Sequence, residues 1–153
     1  MPINPSFVGR RYESTEVYEV GREHIRRFAD AIEDRNPLYR DREAARAAGY
    51  RDVVAPPTFL TVLGFRYRDT TPMDDPELGV DFSKIVHGEE AFTLHRPICA
   101  GDVLKITYTV ADVRVAGKNE LMTAIIDVWA VDREPVASIS STLVSRGTAA
   151  KES

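Results

Sequence analysis

A single cysteine in 153 residues excludes an internal disulfide and a cysteine-based zinc site. Cys99 lies in the apolar context RPICAGD, where a buried and inert thiol is expected. Long apolar runs are missing too. None approaches the roughly 18 to 20 residues needed to span a bilayer, and the N-terminus MPINPSFVGRR lacks the apolar core of a signal peptide. A cytoplasmic protein with no membrane association is therefore expected. A basic surplus is absent: the net charge of −4 argues against nucleic acid as a partner, because neutralising phosphates requires a concentrated basic surface. No Gly-rich phosphate loop, G-x-S-x-G elbow or metal-ligand spacing occurs, which leaves nucleotide chemistry, serine hydrolysis and zinc catalysis without support. Neither a cofactor nor a metal is expected.

What is present fits one domain, residues 1–147, followed by a small polar tail, 148–153, that is expected to be disordered. In EHIRRFADAIE, residues 23–33, Ile25, Phe28, Ala29 and Ile32 recur at helical spacing and predict a one-sided amphipathic helix. Pro37 forbids its continuation and leaves Asp34 and Asn36 on an irregular corner. A short helix follows in DREAARAAGY, with Asp41 as N-cap and Gly49 at the left-handed C-terminal position. The segment VVAPPTFLTVLGFRYRD is apolar on nearly every side and reads as a buried helix starting at the two prolines. Residues 69–84, with two prolines and five acidic residues, form a loop or flap.

Beyond residue 84 the period changes to two. VHGEEAFTLHRP, VLKITYTVADVRV, LMTAIIDVWAV and VASISSTLVS predict four strands, the second with Leu104, Ile106, Tyr108 and Val110 on one face. AGKN at 116–119 and DREP at 132–135 are the turns. With a short strand near 12–20, the order predicts an α+β domain in which a curved antiparallel sheet wraps a central helix.

The runs VGRRY, YEVGREHIRRFADAI, NPLYRDREAARAAGYRDVVAPPTF and HGEEAFTLHRPICAGDVL resemble the MaoC-like hydratase/dehydratase branch of the hot dog superfamily. More narrowly they resemble the substrate-binding subunits of heterodimeric (3R)-hydroxyacyl-carrier-protein dehydratases, of the FAS1-like dehydratase N-terminal domain type. The resemblance covers residues 5 to 146, and AAGYRDVVAPPTF and HRPICAGD are its most specific segments. It implies a long central helix from Pro57 to about Tyr67, and two domains paired into a continuous sheet with an acyl tunnel at their interface. It also implies an acyl thioester of coenzyme A or acyl carrier protein as ligand.

The family's reaction interconverts a (3R)-3-hydroxyacyl thioester and the trans-2-enoyl thioester. A proton moves at C2, a hydroxyl at C3, and enolate-like charge develops on the thioester oxygen. In the MaoC-like pattern an Asp and a His spaced D-x-x-x-x-H around N-P activate the water. Laid on this chain, the pattern implies Asp34 for the aspartate, Asn36 and Pro37 for the corner, and Tyr39 where the histidine stands. A phenol with a pKa near 10 is protonated at neutral pH, so Tyr39 donates a hydrogen bond but is a poor general base. Read without the resemblance, DRNP is a helix-ending turn whose side chains bond local backbone.

His87 is a candidate substitute base, with Glu89 on the same strand face at i, i+2 and Gly88 between them; a strand histidine satisfied by a neighbour is the alternative. His24 and His95 are weaker candidates. Pro57 and Thr58 open the central helix, whose N–H groups suit a thioester carbonyl, or Thr58 merely caps it. Phe59, Leu63, Phe65 and Tyr67 line an acyl tunnel or belong to the core. The arginines Arg66 and Arg68, and Arg40, Arg42, Arg46 and Arg51, are solvated faces or a landing place for an acidic carrier protein. Three functions remain. The chain is a weakly catalytic or non-catalytic subunit paired with a MaoC-like catalytic partner, an active homodimeric enoyl-CoA hydratase, or an acyl-thioester binding protein without turnover.

Overall fold

The period-two segments become four long strands, β3 (Ile85–Leu94), β4 (Val103–Ala116), β5 (Asn119–Ala130) and β6 (Pro135–Ser145), in a computed structural model that describes residues 2–67 and 71–150. Arg68 and the first two residues of the 69–84 loop lie outside the described residues, as do 151–153. The short N-terminal strand is two strands, β1 (Arg11–Glu13) and β2 (Tyr18–Glu19). Ser14 breaks it, because its hydroxyl accepts the Ile106 N–H at 3.0 Å, a bond a continuing strand would take with its own carbonyl. All pairs are antiparallel in the order β1-β4-β5-β6-β3, with β2 also on β4.

Alternation sets which face is buried. On β4 Leu104, Ile106, Tyr108 and Val110 all point into the core, and on β5 Glu120, Met122, Ala124, Ile126 and Val128 do the same. The buried Glu120 is satisfied by the Ile3 N–H, 3.1 Å from each carboxylate oxygen, which straps the N-terminus over the sheet. Against this face lies the central helix, a 3-10 turn Pro57–Phe59 running into α3 (Leu60–Arg66). Phe59, Leu60 and Leu63 are fully buried, giving the expected arrangement of a helix wrapped by a curved antiparallel sheet. The expectation of burial all round fails at Phe65, which is 79% exposed, because the sheet covers only one side of so short a helix.

The first helix, α1 (Arg22–Ala31), buries Ile25 and Ala29. It stops before the end of the apolar pattern because Glu33 turns left-handed at φ 57°, so that Glu33 N–H bonds Asp30 O and Asp34 N–H bonds Ala29 O. Asp41 caps α2 (Arg42–Ala47) through the N–H groups of Glu43 and Ala44, and Gly49 ends it at φ 94°. The polar tail is held further than its composition suggests: Thr148 is buried and Ala149 N–H bonds Lys118 O. No helix among the described residues is long and apolar enough to cross a membrane.

Two buried carboxylates lock the segments that carry the strongest resemblance. Asp52 accepts Arg22 Nε and Nη2 at 2.9 and 2.8 Å and the Val53 N–H at 2.8 Å. Asp102 accepts two Arg96 bonds at 2.9 and 3.1 Å, the Cys99 N–H at 2.9 Å, and Arg51. Between them Val54 bridges Cys99 and Ala55 N–H bonds Ile98 O at 2.7 Å, so the chain enters the central helix from a fixed position.

Candidate functional site

The DRNP corner is built from local hydrogen bonds in which one side-chain oxygen of Asp34 and of Asn36 accepts a backbone N–H. Asp34 Oδ1 accepts the Asn36 N–H at 3.0 Å, and Asn36 Oδ1 accepts the Leu38 N–H at 3.0 Å and caps a 3-10 turn, Pro37–Tyr39. Arg40 donates to Asp34 O at 2.7 Å and pairs with Asp30, and Val54 N–H bonds Leu38 O at 2.9 Å. Tyr39 packs against the core with its pKa raised, first by burial and then by the nearby Asp34 charge. Both causes move the phenol further from service as a base at neutral pH.

A cavity of about 360 Å³ lies elsewhere, between α3 and the inner face of the sheet. Apolar side chains such as Met73, Met122, Ile126 and Leu143 make most of its wall, and Gly64 of α3 leaves room that a side chain would fill. Of the sequence candidates His87 and Phe65 line it. Asp34, Asn36, Tyr39, Pro57, Thr58, Gly88 and Glu89 do not, and Phe59 and Leu63 are core side chains under Tyr18 and Phe28. Tyr67 is buried core as well. No side chain of Pro56 or Thr58 caps the helix start, so the alternative in which Thr58 is merely its cap does not hold. Thr58 is exposed and its carbonyl accepts the Thr61 hydroxyl at 2.8 Å.

His87 has a different acid beside it from the one its spacing suggests. A bulge at Gly88 shifts the register between His87 and Glu89, so that Glu89 faces Thr142 and Glu90 faces Ser141. Glu90 Oε2 therefore lies 2.6 Å from His87 Nε2, and Ser141 Oγ lies 2.9 Å from the same nitrogen. Only glycine fits the bulge, since a Cβ there would meet Val144 Cγ2 at 2.9 Å and Thr142 O at 3.2 Å. Gly88 thus shapes the backbone and is not part of the cavity wall. A carboxylate only accepts, so Nε2 carries a proton toward Glu90, and Nδ1 has no partner among the described residues. Both partners meet one ring nitrogen, which is not the two-nitrogen relay of a serine nucleophile.

Deeper in the cavity stands Tyr108, 5% exposed, its pKa pushed up to about 12 by burial. Glu90, Ser141 and Tyr108 were not singled out as site residues by sequence reasoning. Gly88 inside a strand pattern was the signal for the bulge that brings the first two together. The other histidines are placed structurally. His24 bonds the Tyr18 hydroxyl and packs its ring 5.2 Å from Phe59, its pKa lowered by burial first and then by Arg66 and Arg27. His95 uses its backbone N–H on Val136 O. Cys99 is buried and its thiol pushed up by burial, and no group of metal-binding side chains forms among the described residues. Arg40, Arg42 and Arg51 are paired with Asp30, Asp52 and Asp102 and lie outside the cavity lining.

β3 borders the cavity and is an edge of the sheet, paired among the described residues with β6 alone and exposed at eight of its ten residues. Val86 and Leu94 are exposed along it, with Phe65 and Phe82 exposed at the cavity.

Residues 6–139 match the family described as FAS1-like, dehydratase domain region. A UPF0336 protein of Saccharopolyspora erythraea is 51% identical over 97% of this chain and 95% of its own length. Among solved structures, the C-terminally truncated HadBC (3R-hydroxyacyl-ACP dehydratase) complex from Mycobacterium tuberculosis superposes with a TM-score of 0.79. It is 30% identical and the match covers 90% of this chain and 96% of that one. A MaoC-like dehydratase gives a TM-score of 0.83 at 32% identity, covering 92% of this chain and 42% of that longer one.

Proposed function

The chain belongs to the FAS1-like dehydratase domain family, and from that premise we propose that it is the acyl-binding subunit of a (3R)-hydroxyacyl-thioester dehydratase, or (R)-specific enoyl-thioester hydratase, paired with a catalytic MaoC-like subunit. The observation that carries this reading is the division of its features. The corner has Tyr39 where the resemblance places a histidine and an Asp34 carboxylate bonded to its own backbone, while the apolar cavity opens beside the edge strand β3. Removal of a general base costs on the order of 10² to 10⁴ in rate, so a chain built this way is a weak catalyst alone.

In the pair, β3 meets the partner's edge strand and satisfies its unpaired N–H and C=O groups, as exposed sheet edges do. Val86 and Leu94 are covered at the same contact. The acyl chain of a coenzyme A or carrier-protein thioester lies along α3, its tail in the cavity. The partner's Asp and His place water so that its oxygen bonds to C3 and a proton reaches C2 of the trans-2-enoyl thioester, or the reverse on dehydration. This chain holds the tail and excludes water from it. The relatedness to a HadBC complex, and to a longer MaoC-like chain of which this domain covers 42%, supports a function built from two such domains.

One observation favours a second reading, an active homodimer: His87 is held at the cavity by Glu90 with Nδ1 open. The test is crotonyl-CoA hydration by the purified chain, alone and with a MaoC-like protein carrying an intact D-x-x-x-x-H segment. Background rates alone and turnover in the pair are expected. Enzyme-like rates by the lone chain that vanish in His87→Ala favour the homodimer, and acyl binding without turnover beside every such partner favours a binding protein.

A further inference from the structure

The proposed acyl cavity is not uniformly apolar, and its polar groups are arranged for a ligand instead of for the fold. Tyr108 lies on β4 among Ile106, Val110 and Ile126, all core side chains, yet its hydroxyl has no hydrogen-bond partner among the described residues. That hydroxyl is not among the fully enclosed unpartnered side-chain atoms, so it opens onto the cavity, where an oxygen of a ligand can meet it. At the other polar point, on β3 and β6, His87, Glu90 and Ser141 face the same cavity. Those three already bond one another, whereas a plain hydrocarbon tail offers the Tyr108 hydroxyl no partner.

We infer that the cavity takes an acyl chain bearing a neutral oxygen substituent, a hydroxyl, in its distal part, a specificity that rests on the acyl-binding reading above. The hydroxyl accepts from Tyr108 O–H or donates to the Tyr108 oxygen, and within reach of β3 it finds Glu90 as acceptor and Ser141 as either. The Glu90 carboxylate disfavours a chain ending in a second carboxylate, because two like charges in an apolar cavity repel. No bond is made or broken at this subsite; it selects and orients the tail.

The test is a calorimetric titration of the full chain with dodecanoyl pantetheine and with the set of its isomers that carry one hydroxyl in the distal half. At least one hydroxylated isomer is expected to bind more tightly than the unsubstituted thioester by about fivefold, the worth of one net hydrogen bond. Tyr108→Phe is expected to erase that preference while keeping the affinity for the unsubstituted chain, and to leave the melting temperature unchanged or raised, whereas a purely structural tyrosine would lower it. Gly64→Leu, which fills the cavity from the helix, is expected to abolish binding of both. If the unsubstituted chain binds and no isomer is preferred, or if the preference survives Tyr108→Phe, the oxygen-selective subsite is wrong and the acyl cavity stands. If no thioester binds, or binding survives Gly64→Leu, both readings fail.

Discussion

The two ends of the central helix are chemically opposite. Around its N-terminal approach the carboxylates and the corner are held from within: Asp34 and Asn36 bond their own corner, and Asp52 and Asp102 each take several donors while buried, although Arg40 Nε is enclosed there without a hydrogen bond. Around the cavity the groups are open: Nδ1 of His87, the Tyr108 hydroxyl, the edge of β3 and the exposed Phe65. Satisfied groups rigidify, and open groups are available to something else. Under the proposed function, the corner that resembles the hydratase pattern serves the turn, and binding falls to the cavity beside the sheet edge.

That contrast breaks most sharply at Asp102. Asp102→Ala leaves Arg96 and the Cys99 N–H without their acceptor, and loss of one partner from a buried charge network is expected to cost about 3 kcal/mol or more in urea unfolding. A loss within the few tenths typical of surface pairs would erase the distinction. Next is Gly88→Ala, whose methyl would sit 2.9 Å from Val144 Cγ2; overpacking predicts about 2 kcal/mol of destabilisation together with weaker pairing through β3 in size-exclusion analysis.

Acid tests the satisfied side more gently. Arg22 first, and then the Val53 N–H, hold Asp52 near about 2 against its ordinary value of 3.8. At Asp102 burial alone would raise the pKa, but Arg96, the Cys99 N–H and Arg51 outweigh it and the carboxyl is lowered. With both carboxyls lower in the folded state, their stabilisation is complete above the ordinary carboxylate value and is lost as pH falls through the folded values. Denaturation midpoints should therefore hold down to about pH 4 and fall below it, less steeply in Arg22→Ala. The smallest effect is expected from Tyr39→His: crotonyl-CoA hydration by the lone chain stays within about tenfold of background, because Asp34 remains bound to the Asn36 N–H. A gain near a hundredfold would show that the corner is open after all.

Much of the fold was legible because its signals are local. Strand alternation located β4, β5 and β6 to within a residue or two, and Asp41 and Gly49 bracketed α2 as their side-chain chemistry requires. The left-handed Glu33 was not legible, since only the need to bring Asp34 N–H back to Ala29 O places a non-glycine there. At the site, His87 was visible but its acid was misassigned, because i, i+2 spacing presumes an unbroken pleat and the bulge moves Glu90 into place. Ser141 lies on another strand, and no spacing links residues 54 positions apart.

The sequence alone determined that a helix sits inside a curved antiparallel sheet, which follows from short-range periodicity; its resemblance to the hydratase pattern implied that Tyr39 stands at the histidine position. Only the tertiary structure decided which polar groups are satisfied and which are open. That depends on cross-strand register and on burial from several directions at once, and it separates the Asp34 that holds a turn from the Tyr108 that faces an acyl-sized cavity.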